Sequence, residues 1–348
     1  MKALILPFPS TSSSGKTAQG IIHMVKSTAM KLGLDVGLLP DEDTHLQKAD
    51  LIMVIGSDRD ILRAFQDYGD ASVPILGISD ARGSAFLTDV PLSGLQDGLR
   101  QVSKGEYRLE VCNRLAVRVD DHQLPSALNE VAIFPAKTAV LMEYKLSVDG
   151  EEVYRDYSDG LIIATPTGSS AYAMSAGGPL VLPQSSVFVL VSVNSMDISR
   201  RPLVVPDASL IEISEVSARS DCEVIIDGLC REKVEDRVEI RSGKTGSLVR
   251  IDGGSPKRME AIRRIRSMEE IMKMPPSAKL VLKTIEYEGP LTAREVGSKT
   301  LLPSRTVRHA ISILLRSGLV GRSPQLRDLR SDIFYILSQE AEEKQETR

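Results

Sequence analysis

From Tyr107 to Ile240 the chain is a succession of short apolar runs separated by turns, and this pattern limits its fold more than any other feature. The runs are Arg114 to Val119, Ala139 to Val148, Leu161 to Ala164, Val187 to Val193, Leu210 to Glu215, Cys222 to Ile226 and Val234 to Ile240. Their length and β-branched content predict strands. Several are apolar at nearly every position and so must be buried on both faces, which predicts stacked sheets rather than a single sheet open to water. The longest, such as Val187 to Val193, are too short to span a bilayer.

The first hundred residues follow a different rhythm. Lys2 to Pro7 reads as a strand, about Lys16 to Lys31 as a helix, Leu51 to Ile55 as a strand, Asp60 to Gln66 as a helix and Pro74 to Ile78 as a strand. Alternating strands and helices predict an open α/β domain, in which ligands gather beyond the C-terminal strand ends. Ser12-Ser13-Ser14-Gly15-Lys16-Thr17 has part of the phosphate-loop pattern G-x-x-x-x-G-K-[ST], but Ser10 holds the place of its first glycine. We read it as a Ser-capped helix start.

Two prolines in Met274-Pro275-Pro276 interrupt a charged helix expected from about Pro256 to Lys273, so a boundary falls there. The expected organisation is an α/β domain over residues 1–104, a β-rich domain over 105–255, a helical linker over 256–275, a small α+β domain over 276–338 and a polar tail over 339–348. The 348 residues suffice for several cores, and 42% hydrophobic with 26% charged residues is a globular balance. The net charge of -4 is unevenly spread: residues 276–338 hold ten Lys and Arg against five Asp and Glu, +5, leaving 33 against 42, or -9, elsewhere. Cys112, Cys222 and Cys230 lack metal-ligand spacing, His23, His45, His122 and His309 are scattered, and no secretory pattern opens the chain. Reduced thiols, a cytoplasmic location, no zinc site and no membrane span are expected.

The small C-terminal domain has its own pattern. Thr292 can cap a short helix from Ala293 to Ser298, and a second helix starts at a Ser304 cap and ends before Gly318. On that second helix Val307, Ile311, Leu314 and Leu315 share an apolar face. Arg305, Arg308, His309 and Ser312 share another, with Thr306 beside them. Leu319-Val320 and Ile333 to Leu337 read as two strands joined by a loop holding Arg322, Arg327 and Arg330. This resembles a winged helix-turn-helix domain. The resemblance implies a helix in the major groove of duplex DNA and an arginine-bearing wing on phosphate or minor groove. Dimerisation and a merely solvated charged face are the alternatives.

The densest motif runs from Asp159-Gly160-Leu161-Ile162-Ile163-Ala164 through Thr165-Pro166-Thr167-Gly168-Ser169-Ser170-Ala171-Tyr172 to Ala173-Met174-Ser175-Ala176-Gly177-Gly178-Pro179. A buried strand opens into a loop of hydroxyls, small residues and glycine, where polar donors can approach a ligand closely. The bland alternative is a capped turn. The string resembles the DGLI-x-x-TPTGSTAY-x-x-SAGGP pattern of the NAD kinase family, with Ser170 for a threonine. The likeness continues in Asn129-Glu130, in Arg201-Pro202-Leu203-Val204-Val205-Pro206 and in Ile226-Asp227-Gly228.

This resemblance implies an α/β domain, a β-sandwich-like domain and a dinucleotide between them whose 2′-hydroxyl accepts a phosphoryl group from ATP with Mg2+. It places Asn129 and Glu130 on a ribose, and Asp159, Thr167, Ser170, Ala171, Tyr172, Ser175 and Asp227 around NAD or NADP. The family's GGDGT loop corresponds to Gly56-Ser57-Asp58-Arg59-Asp60. There Asp58 keeps the carboxylate implied to take the proton of the attacking hydroxyl. Arg59 replaces a glycine, and a side chain there obstructs the approach of phosphate to backbone N–H groups, although Arg59 can itself pair with a phosphate. Asp60 replaces a threonine, and a carboxylate there would repel phosphate unless Mg2+ bridges them. Asn194-Ser195 stands where the family carries Pro-His. Two functions fit: an ATP-dependent NAD kinase, or a DNA-binding regulator that keeps the NAD(P) pocket as a sensor. The family resemblance also implies a homo-oligomer.

Overall fold

A computed structural model describes residues 1–7, 15–39, 46–79, 86–251, 274–288, 291–317, 319–325 and 328–336. The expected linker helix, most of the phosphate-loop-like stretch, Arg327, the side chain of Arg330 and the polar tail lie outside the described residues. The chain divides into two compact units, one holding the described residues through Ile251 and the other those from Met274.

The first unit opens as the alternating pattern predicts, with β1 (Lys2–Pro7), α1 (Gly15–Lys31), β2 (Asp35–Leu38), β3 (Leu51–Gly56), α2 (Asp58–Tyr68), β4 (Ile75–Ser79), β5 (Val90–Pro91), α3 (Leu95–Lys104) and β6 (Tyr107–Cys112). β2, β1, β3 and β4 pair in parallel in that order. Every residue of β3 and β4 is buried, as befits central strands covered on both faces. The helix α2 turns Ile61, Leu62, Ala64 and Phe65 inward.

The β-rich part contains β7 (Leu115–Val119), β8 (His122–Ala127), β9 (Glu130–Pro135), β10 (Met142–Val148), β11 (Glu151–Ser158), β12 (Gly160–Ala164), a one-turn α4 (Tyr172–Ser175), β13 (Val187–Val193), β14 (Leu203–Pro206), β15 (Ile211–Ala218), β16 (Cys222–Ile226), β17 (Cys230–Val234), β18 (Arg237–Ser242) and β19 (Gly246–Ile251). Two six-stranded antiparallel sheets form, in the orders β11-β10-β15-β18-β7-β8 and β14-β13-β12-β9-β16-β17. Their inner faces share one core around Tyr144, Phe188, Ile213, Val224 and Val238. The all-apolar β12 is explained by that sandwich: Leu161 and Ile163 face the inner core, while Ile162 and Ala164 pack outward with Ala173, Val189 and Val191. The run Val234 to Ile240, read as one strand, is instead the end of β17, a turn and most of β18.

The division at residue 105 differs from what forms. β6 and β19 pair antiparallel, Cys112 opposite Gly246 and Tyr107 opposite Ile251, and β19 also runs parallel to β4. The sandwich is thus an insertion between two strands of the first sheet, a pairing between distant segments that no local pattern carries. Two buried arginines mark the junction. Arg250, 1% exposed, pairs with Glu110 at 2.9 Å and Asp89 at 2.8 Å. Arg114, equally buried, reaches Asp70 at 2.7 Å and donates to the Phe65 carbonyl at 2.9 Å, fastening the sandwich to the end of α2.

The second unit comprises α5 (Pro276–Glu288), β20 (Leu291–Thr292), α6 (Ala293–Thr300), α7 (Ser304–Arg316), β21 (Val320–Gln325) and β22 (Asp328–Ile336). Three helices and an antiparallel sheet in the order β20-β22-β21 enclose Val281, Ile285, Val296, Val307, Ile311, Leu314 and Phe334. Thr292 caps α6 in a capping box with Glu295. Pro303 is the N-cap of α7, and Ser304 is its first helical residue. The two long strands take up Arg322 and Arg330, which the sequence pattern places in a loop.

Candidate functional site

The densest motif and Asn129-Glu130 meet at one corner of the sandwich because β9 lies between β12 and β16. Asp227, just past β16, turns its carboxylate onto the tight turn that leads into β9. It accepts from the N–H groups of Leu128 at 2.9 Å, Asn129 at 2.8 Å and Glu130 at 3.1 Å. Asp227 is 6% exposed, so its oxygens serve the backbone. From the other side Thr165 donates through Oγ1 to the Leu128 carbonyl at 2.6 Å and through its N–H to the Asn129 carbonyl at 2.9 Å. The Thr165 Oγ1 accepts in turn from the Gly168 N–H at 3.1 Å. Gly168 lies so close that a Cβ would be 2.0 Å from the Asn129 oxygen. The turn bearing Asn129 and Glu130 is therefore clamped between Asp227 on one side and the 165–168 loop on the other.

Glu130 is buried, yet its Oε2 has no hydrogen-bond partner. Burial first, and then the nearby Asp227 charge, push its carboxyl up to about 8, opposed by a hydrogen bond from the Tyr172 N–H. A buried oxygen left open costs free energy and is completed by a donor or acceptor from outside. The Tyr172 ring, half exposed, stacks on Phe134 at 5.8 Å between centroids with 18° between planes. Gly160 makes room for that stack, since a Cβ there would lie 2.5 Å from the Phe134 ring. A flat aromatic platform beside an open carboxyl suits a base attached to a ribose.

The remaining residues of the motif hold its loop and the opposite end of β12. Thr167 is buried and its carbonyl accepts from Ser170 Oγ at 3.3 Å. Ser169 pins the loop to Pro166 and Val181. Ala171 is half-buried and Ser175 exposed. Asp159 accepts from Asn194 Nδ2 at 2.8 Å, and Ser195 donates to Asp156 at 2.6 Å. Asn194 thus holds the acidic residue of the β11–β12 connection, and Ser195 holds one within β11.

Sequence reasoning missed Phe134 and Gln66, and it names Thr165 within the motif without its hold on the 128–129 turn. Gln66 on α2 donates to the Ile226 carbonyl at 3.2 Å, tying the α/β sheet's helix to the corner. These are contacts across separate elements, without a local sequence signal.

The loop at the head of α2 engages other partners. Asp58 accepts from the N–H groups of Phe86 and Leu87, both at 2.8 Å, one on each oxygen. Asp60 Oδ2 accepts from the Ser57 N–H at 2.8 Å and the Ser57 hydroxyl at 2.7 Å. Arg59 is exposed and Gly56 buried. Among the described residues no group of three His, Cys, Asp or Glu side chains comes together as a metal site.

Residues 128–250 match the ATP-NAD kinase C-terminal domain, which takes in Asn129, Glu130, the whole Asp159 to Pro179 motif and Asp227. An NAD kinase of Methanothermobacter thermautotrophicus is 39% identical over 199 residues, 57% of this chain and 70% of that protein. The chain belongs to the NAD kinase family. Another NAD kinase, from Methanopyrus kandleri, is 36% identical over 182 residues, 52% of this chain and 65% of that one. A solved NAD kinase from Archaeoglobus fulgidus, in complex with ATP, superposes with a TM-score of 0.60 at 28% identity, covering 72% of this chain and 94% of that one. The fold is also that of a yeast NADH kinase complexed with NADH, TM-score 0.65 at 19% identity. The family domain excludes the 56–60 loop and the second unit.

Proposed function

We propose that the chain transfers a phosphoryl group from ATP to the 2′-hydroxyl of NAD, giving NADP. The observation that carries this reading is the clamped turn of Asn129 and Glu130, with the open Glu130 Oε2 beside the Tyr172–Phe134 stack. Asn129 and Glu130 hold ribose hydroxyls, and Thr167, Ser170, Ala171, Ser175 and Asp159 line the dinucleotide. Asp227 acts through the backbone it fixes. Asp58 takes the proton as the hydroxyl attacks, and the 56–60 loop receives the donor phosphates. Mg2+ enters with ATP as part of the substrate and neutralises charge on the transferring group. The relatives named as NAD kinases favour this reading over a sensor without phosphotransfer. Purified protein should form NADP from NAD and ATP. Asn129→Ala should weaken NAD binding by about tenfold or more in calorimetry, the loss of one or more good hydrogen bonds. Unchanged affinity would remove Asn129 from the site.

The second unit supports a further reading, a winged helix that binds duplex DNA. Arg305, Arg308 and His309 are exposed along α7, with Thr306 half-buried between them. Arg322 on β21 is exposed and pairs with Asp332 at 3.7 Å, and Arg330 lies on the partner strand β22. Arg305→Ala with Arg308→Ala should spare folding and weaken DNA binding, lowering the log-log salt slope by about one unit per lost phosphate contact. Full DNA affinity in the double variant would refute this use of α7. We also propose a homo-oligomer, supported by Tyr157, Met196, Ile198 and Val204 exposed along one edge of the sandwich. No described helix is long and apolar enough to cross a membrane.

A further inference from the structure

The head of α2 lies at the C-terminal end of β3, where parallel sheets present helix N-termini to anions. In this chain an anion is already seated there. The Asp60 carboxylate takes both polar hydrogens of Ser57, backbone and hydroxyl, on a single oxygen. It packs directly onto Gly56, where a Cβ would lie 2.5 Å from Oδ2, so the seat exists only because residue 56 is glycine. Ser57 and Arg59 are exposed and Asp60 is half-buried, which leaves the seat within reach of solvent. Asp58, two residues earlier, faces the 86–87 backbone and takes no part in it.

We propose that Asp60 is an internal competitor of the phosphate donor, holding the N–H and hydroxyl of Ser57 that the donor's phosphate would otherwise engage. The inference rests on the phosphotransfer reading above. Two effects act in the same direction. The carboxylate occupies the donors, and its negative charge repels an incoming polyphosphate at the end of the helix that would otherwise attract it. A capping box that serves only helix stability would leave donor affinity unchanged when it is altered.

The test measures binding of Mg·ATP to the full-length protein by calorimetry, alone and then with NAD present, together with NADP formation at saturating NAD. Asp60→Asn keeps an oxygen able to accept from Ser57 and removes only the charge. Asp60→Thr removes the charge and both carboxylate oxygens, leaving one shorter hydroxyl. Mg·ATP should bind Asp60→Thr about tenfold or more tightly than wild type, with Asp60→Asn between the two, as expected when a charge-assisted contact is freed for the ligand. The apparent KM for ATP should fall in the same order while NAD affinity stays constant. Thermal unfolding reports whether each variant is folded, and the Asn variant, which preserves the cap, guards against loss of the helix start. Equal or weaker Mg·ATP binding by both variants would overturn the proposal. Because Mg·ATP affinity is read without NAD, that result is separate from failure of the phosphotransfer reading, which would show as absent NAD binding and absent NADP formation in wild type.

Discussion

Gly168→Ala is expected to open the dinucleotide corner and to destabilise the first unit by about 3 kcal/mol or more, with loss of measurable NAD binding. A Cβ at 168 would meet the Asn129 oxygen at 2.0 Å, its carbonyl carbon at 2.3 Å and its Cα at 2.6 Å. All three are backbone atoms, so no side chain can swing aside, and the 165–170 loop must separate from the turn. Separation breaks the bond from the Thr165 N–H to the Asn129 carbonyl. It also exposes the Leu128 carbonyl that Thr165 serves. Gly20, on α1, is the control: a Cβ there meets nothing within 4 Å, so Gly20→Ala should be neutral or add about 0.5–1 kcal/mol through helix propensity. Urea unfolding and calorimetry with NAD check both variants. A Gly168→Ala protein that unfolds and binds as wild type does would show that the close approach of loop and turn has no structural or functional role.

Gly168 also shows where sequence reading stops. The motif around it is legible as a ligand loop, and the alternating strands and helices of the first hundred residues are legible from their periods, because both signals are local. β2, β8, β11 and β14 carry no such signal, since they are short or polar on one face and draw their pairing from distant strands. The same holds for β6 and β19, whose mutual pairing makes the sandwich an insertion. At the site, residue types suggest hydroxyls and carboxylates for a ribose, but the division of labour between them is a matter of orientation. Asp227 and Glu130 look alike as letters. One turns inward to three N–H groups and the other keeps an oxygen open. Asp60 reads in the sequence as a carboxylate that would repel phosphate, and its contact with Ser57 across three residues turns that into an occupied seat.

The contrast between those two carboxyls sets the expected pH behaviour. Burial raises both, but Asp227 is opposed by bonds from three backbone N–H groups and from Gln66, whereas Glu130 has one such bond, from Tyr172. The proton of the pair therefore resides on Glu130, whose carboxyl rises from 4.5 to about 8. In the unfolded chain the same group ionises near its ordinary value. As pH rises from about 4.5 to about 8 the unfolded chain releases a proton that the native protein keeps. Unfolding is then coupled to proton release, and this group's contribution favours the native state less and less through that window. Each tenfold difference in proton affinity between the two states is worth about 1.4 kcal/mol, so the loss amounts to a few kcal/mol above the upper end. Glu130→Gln removes the titration while keeping size and a hydrogen-bond donor. Measured by urea unfolding from about pH 5 to about pH 9, the variant should match wild type within about 1 kcal/mol at the acid end and exceed it by about 2 kcal/mol or more at the alkaline end. NAD affinity should fall with alkaline pH in wild type and stay flat in the variant, because the proton that a neutral Glu130 donates to a ribose oxygen is supplied there by the amide. If the stability difference between the two proteins is constant across the range, Glu130 is ionised in the native state and the open oxygen holds no proton.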